Sequence, residues 1–173
     1  MNSNLQNELK ELNLNDGGAR VISYLALFTA FVAVATYLHI PGPNASYFNM
    51  GEVAIYIIAL TFGGKVGGIA GAFGSALMDI MLGYSIWAPF TFVIKGLEGY
   101  VVGRIARQGD LKRNILAILA GGHIMIIGYA LTKAYLISWA AVPPEIGIDY
   151  GQMIIGGAVA IPLSRQIIKF IRN

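Results

Sequence analysis

The sequence predicts an all-α integral membrane protein: a six-transmembrane-helix bundle with both termini cytoplasmic. Three observations carry this. Hydrophobic residues make up 56% of the 173 residues and charged residues 12%, with mean hydropathy +0.64. An average soluble domain carries about 25% charged residues, and half that share is too little to cover a globular surface in water. Six apolar runs follow a polar start, and the basic residues between them fall only on alternate links.

The same composition argues against a water-soluble enzyme, a nucleic-acid-binding domain and a disordered chain. The net charge of +3 reads as basic cytoplasmic loops rather than as a nucleic-acid partner. The absence of cysteine removes disulfides, thiolate metal sites and a thiol nucleophile.

Residues 1–20 are polar, rich in Asn, and lack the three-part layout of a signal peptide. A short polar or surface helix is expected there, and residues 21–173 form the membrane domain. Residues 21–40 contain no charge, matching the ~20 residues that cross a ~30 Å hydrocarbon core. Pro41, Gly42, Pro43 and Asn44 break that helix. A short second run covers residues 50–62 and ends at Gly63-Gly64-Lys65. The third covers 66–82, with Asp79 its only charge. The fourth starts at Ala88-Pro89, where proline suits a first helical turn, and reaches Ala106. The fifth covers 114–139, Pro143-Pro144 end the next loop, and the sixth covers 150–170 with Pro162 as an expected kink.

Arg20, Lys65, the group Arg104, Arg107, Lys112 and Arg113, and the group Arg165, Lys169 and Arg172 all fall on one side if six helices alternate. Loops 40–49, 83–88 and 140–149 contain no Lys or Arg. The positive-inside rule then places both termini in the cytoplasm. No repeat of fixed period marks an inverted-repeat transporter.

Small residues recur at helical spacing. Ala26 and Ala30 form an A-x-x-x-A stripe on the first span; Gly64, Gly67, Gly68, Gly71 and Gly74 lie on the third; Gly96, Gly99 and Gly103 lie on the fourth. Such stripes let helix backbones approach in lipid. For spans three and four internal packing is the expected use; for span one, internal packing and docking of another membrane protein stand side by side.

Asp79, Lys95, Glu98, His123 and Lys133 sit inside apolar spans, and Glu52 opens span two. A charge at the bilayer centre costs roughly 2.5–3.5 kcal/mol on insertion scales, so each must face protein or water. Most fall in the outer half, as a cavity open to the exterior would require. Lys95 and Glu98, three apart, share a face: a buried ion pair or a ligand-directed group. Asp79 pairs with Lys95, caps a helix or meets a solute. His123 is a core histidine or a ligand contact. Lys133 snorkels to the interface or contacts a solute. Tyr47, Phe48, Tyr84, Trp87, Tyr135 and Trp139 gather at the outer ends, as an interfacial belt or, in part, as stacking walls for a flat ring. Gly63-Gly64-Lys65-Val66 is no phosphate-binding P-loop, and no H-E-x-x-H or G-x-S-x-G occurs. Nothing in the sequence calls for a metal or cofactor.

Several stretches together resemble the substrate-binding S component of energy-coupling factor (ECF) transporters, most closely the riboflavin, pyridoxine or hydroxymethylpyrimidine branch. They are Phe48-Asn-Met-Gly-Glu-Val-Ala-Ile-Tyr56, the glycine-rich run from Leu60 to Asp79, Gly83-Tyr-Ser-Ile-Trp-Ala-Pro-Phe-Thr91 and Ile94-Lys-Gly-Leu-Glu-Gly99. The resemblance is specific over residues 21–106; beyond, it rests on helix count, size and orientation. It implies a non-enzymatic subunit of the cell membrane that captures a vitamin from outside and docks on a transmembrane T component with two ATPase subunits. It implies that Ala26 and Ala30 face the T component and that residues 41–50 form an outer lid. It implies a pocket drawn from Asn49, Glu52, Asp79, Tyr84, Trp87, Thr91, Lys95, His123, Tyr129 and Lys133. Two alternatives accompany it: a stand-alone carrier coupled to an ion gradient through Asp79 or Glu98, and a membrane enzyme using His123 with Glu98 or Asp79.

Overall fold

The computed structural model describes residues 18–42 and 46–172; the expected polar segment lies mostly outside these, as do Pro43 and Asn44 of the expected helix break. Among the described residues there are six α-helices: α1 (Gly18–Tyr37), α2 (Gly51–Phe62), α3 (Gly64–Met81), α4 (Ala88–Ile105), α5 (Leu111–Leu136) and α6 (Val142–Arg172). Each coincides with one expected apolar run, within a few residues at most ends.

The exceptions lie at one end of the bundle. The expected break after α1 contains a small antiparallel hairpin, β1 (His39–Pro41) and β2 (Tyr47–Asn49), with His39 opposite Asn49 and Pro41 opposite Tyr47. A short 3₁₀ turn, Trp139–Ala141, leads directly into α6. Pro143 and Pro144 therefore open α6 instead of closing a loop. The first turn of a helix has no use for the N–H groups that proline lacks. This starts α6 eight residues earlier than expected and puts Glu145 and Asp149 on a helix.

The glycine stripes of α3 and α4 meet. A Cβ on Gly99 would stand 2.4 Å from the Gly67 carbonyl oxygen, and one on Gly103 would stand 2.4 Å from the Gly64 nitrogen. The two main chains thus touch without side chains between them, the use of small residues expected where packing replaces the hydrophobic drive. Gly63 is the single residue between α2 and α3, and its φ of +92° is one that L side chains rarely adopt.

Burial is inverted relative to a soluble domain. Glu52, Asp79, Lys95, Glu98, Lys133 and Asp149 are buried, while Leu27, Phe31, Leu116, Ile127, Leu131 and Phe170 are exposed. Such a surface suits hydrocarbon, not water. Among the described residues three helical stretches, Gly18–Tyr37, Leu111–Leu136 and Trp139–Ile171, are long and apolar enough to cross a membrane by themselves. The glycines of α3, the ions of α4 and the short length of α2 keep those helices out of that class.

Candidate ligand-binding site

Eleven residues, most of them polar, converge on a cavity at the bundle end whose links carry no Lys or Arg. The cavity, of about 30 Å³, room for roughly two water molecules, lies under the hairpin. Asn49 comes to it from β2, Asp79 from the last turn of α3, Thr91 and Lys95 from α4, and Tyr129 from α5. Glu145, Asp149 and Gln152 come from α6, spaced four and three apart on one helical face.

Three tethers hold the hairpin down. Ser46 donates to Glu145 and accepts from Lys133 Nζ at 2.8 Å, while Lys133 and Glu145 form an ion pair at 2.8 Å. The Asn49 main-chain N–H donates to Gln152 Oε1 at 2.8 Å, and Gln152 Nε2 donates to Asp149 Oδ1 at 3.2 Å. The Tyr47 hydroxyl donates to Asp79 Oδ1. Burial, and then the neighbouring Asp79 charge, push the Tyr47 phenol above its ordinary range, so it stays a proton donor at physiological pH.

Below the cavity lies an ionic floor. Lys95 bridges Glu52 and Glu98, and it donates to Glu98 Oε2 at 3.1 Å. The fully buried Tyr56 donates to Glu98 Oε1 at 2.7 Å. Lys95 Nζ also stands 5.4 Å from the Tyr129 ring centre, and Lys133 Nζ stands 5.0 Å from that of Trp87. Both distances suit cation–π attraction.

Six of the ten expected pocket residues line the cavity: Asn49, Asp79, Trp87, Thr91, Lys95 and Tyr129. Four do not. Glu52 sits beneath, neutralised by Lys95. Tyr84 stands behind Tyr47, ring centres 5.5 Å apart. Lys133 neither snorkels nor lines the cavity; it is wholly buried between Ser46, Glu145 and Trp87. His123 lies away from the cavity: it is exposed on the outer face of α5, its Nδ1 2.7 Å from the Leu119 carbonyl oxygen and its ring edge-on to Tyr150. The α5 residues reaching the cavity region, Tyr129 and Lys133, follow it by six and ten positions, on another face. Asp79 forms no ion pair with Lys95; Tyr47 donates to its Oδ1 and Thr91 lies beside it. Ala26 and Ala30 lie exposed on α1.

Sequence reasoning missed Ser46, Glu145, Asp149 and Gln152, and placed Tyr47 among the outer aromatics, as belt or stacking wall, without its bond to Asp79. The spacing of Glu145, Asp149 and Gln152 was available, once the two prolines are read as a helix start.

The family model described as ECF-type riboflavin transporter, S component, matches residues 18–169. The chain belongs to this family. It is therefore a transporter component of the membrane and not an enzyme. A protein of Pyrococcus woesei, described as an uncharacterized protein in gap 3′ region, is 38% identical over 143 residues, covering 79% of this chain and 96% of that protein. The thiamine precursor transporter HmpT of Lactococcus lactis subsp. cremoris is 27% identical over 157 residues, covering 89% of this chain and 91% of that one.

Proposed function

We propose that this chain is the high-affinity binding subunit of an ATP-driven ECF importer in the cell membrane. It crosses the bilayer six times with both termini in the cytoplasm. It captures a B vitamin or precursor, such as pyridoxine, hydroxymethylpyrimidine or riboflavin, from outside. It then delivers the solute by docking on a T component and two ATPase subunits, with Ala26 and Ala30 of α1 on the docking face. The observation that carries this reading is the convergence of polar side chains from the hairpin, α3, α4, α5 and α6 on one cavity, at the end away from the basic links. Isolated structural ion pairs would have no reason to share a hollow roofed by a tethered hairpin.

Mass spectrometry of protein purified from vitamin-rich medium tests it. A co-purified B vitamin or precursor is expected. Empty protein with no sub-micromolar binding across that class would refute it, and uptake by reconstituted protein without any ATPase would point to an ion-coupled carrier instead.

A further inference from the structure

The α3–α4 pair turns two exposed stripes away from the bundle. On α3 they are Phe73, Leu77 and Ile80; on α4, Val93, Leu97 and Tyr100. The stripes touch where the Phe73 and Phe92 rings meet edge-on, centres 4.9 Å apart. Both end in a cation at the same end of the pair. Lys65 is exposed two helical turns before Phe73, and Arg104 is exposed one turn after Tyr100.

A hollow lies between these cations, at the end opposite the hairpin. It is a groove of about 500 Å³, lined by Gly63, Gly64, Lys65, Tyr100, Gly103 and Arg104. Glycine leaves it open: the two main chains meet here without side chains, and a Cβ on Gly103 would stand 2.4 Å from the Gly64 nitrogen. A second groove of about 350 Å³ adjoins it, sharing Gly63, Gly103 and Ala106 and adding Arg107. Among the described residues no carboxylate lines either groove.

Cations bordering one hollow repel each other unless an anion comes between them. Snorkelling explains why Lys65 and Arg104 sit at a helix end, but not why a hollow separates them. A phosphate diester suits it, since guanidinium matches two of its oxygens at once. The apolar stripes lead directly away from the cations, so an occupant with an anionic head and a long hydrocarbon tail uses both features. A free phosphate or an acidic protein segment would use only the first. Basic pockets between transmembrane helices take lipid headgroups by this chemistry.

We infer that the groove seats the phosphate of an anionic phospholipid, held by Arg104 and Lys65, with an acyl chain along Tyr100, Leu97 and Phe73. This rests on the reading that the basic links face the cytoplasm, which assigns the lipid to the inner leaflet.

The test is native mass spectrometry of the purified full-length protein in detergent. The probes are phosphatidylglycerol and phosphatidylcholine with identical chains, supplied in equal amounts. Phosphatidylglycerol is expected to be retained at least tenfold more, and an excess of glycerol phosphate is expected not to displace it. The Lys65→Gln/Arg104→Gln variant is expected to reduce the preference to less than threefold. Arg165→Gln/Lys169→Gln removes the same charge from exposed positions on α6, outside the groove, and is expected to keep it. Equal retention of the two lipids by the wild-type protein overturns the inference. So does displacement by glycerol phosphate, or an equal loss in the α6 variant, which would make the effect one of general charge. None of these results touches the importer reading, which stands or falls on vitamin binding. The wild-type comparison decides even if the groove variant does not fold.

Discussion

Replacing Lys95 by Met removes the one cation shared by two buried carboxyls while keeping a side chain of similar length. Glu52 and Glu98 are 1% and 0% exposed, so neither can turn to solvent. At the 3.1 Å separation of Lys95 and Glu98, Coulomb's law with an effective dielectric near 20 gives an attraction of roughly 5 kcal/mol. Much of that is offset by the several kcal/mol needed to dehydrate each ion, so the intact triad contributes little net stability. Removing one member is different, because it strands the others: about 3–5 kcal/mol is lost. The two carboxyls are not equally stranded. Glu98 keeps the Tyr56 hydroxyl at 2.7 Å, whereas Glu52 has one oxygen on Lys95 and the other on nothing. Glu52→Gln in the Lys95→Met background should therefore restore more stability than Glu98→Gln, by about 1–2 kcal/mol. Unfolding titrations in detergent micelles, run as a double-mutant cycle, measure each step. A Lys95→Met protein within 1 kcal/mol of wild type, or better rescue by Glu98→Gln, would refute the account of the floor.

Further outcomes follow from the same geometry. Ser46→Ala removes the hydroxyl between Glu145 and Lys133 but leaves their ion pair, so the hairpin should open more readily and ligand dissociation should speed up about tenfold, for a loss of roughly 1.5 kcal/mol; stopped-flow fluorescence checks this. Gly99→Leu should abolish the folded bundle by forcing α3 and α4 apart, whereas Gly147→Ala, where an added methyl meets nothing within 4 Å, should behave as wild type in size-exclusion chromatography. Ala26→Trp or Ala30→Trp should block uptake and copurification of the ATPase subunits with ligand affinity within about twofold of wild type; unchanged uptake in both would remove α1 from the docking face. His123→Ala should leave affinity within about twofold, because the ring lies on the outer face of α5; a loss beyond tenfold in calorimetry would reverse that placement.

The helices were legible because lipid makes a simple demand: long uncharged runs, with ions only where protein can shelter them. The glycine seam was equally legible, since spacing alone says which face comes close. The hairpin was not. His39–Pro41 and Tyr47–Asn49 are three-residue strands beside two prolines, and their pairing depends on the tertiary hold of Gln152, Glu145 and Asp79. Pro143-Pro144 misled because proline stops one helix and starts the next with equal ease, and with the boundary misplaced two carboxyls of the site appeared to belong to a loop. His123 misled for another reason: a polar residue in an apolar span is expected to hide, yet a histidine can satisfy one nitrogen on the preceding turn and remain at the surface, as the Leu119 carbonyl allows.

The main-chain contact between α3 and α4 carries a mechanical consequence. Helices separated by leucines can roll and shear on their side chains; two backbones touching at Gly67 and Gly99 have no such bearing. The pair behaves as one stiff post, carrying Asp79 at one margin and Lys95 at the other. Whatever doorway a solute uses must then hang on the opposite jamb, where the first turns of α6 and the hairpin are joined to the rest by side-chain latches that thermal motion can undo.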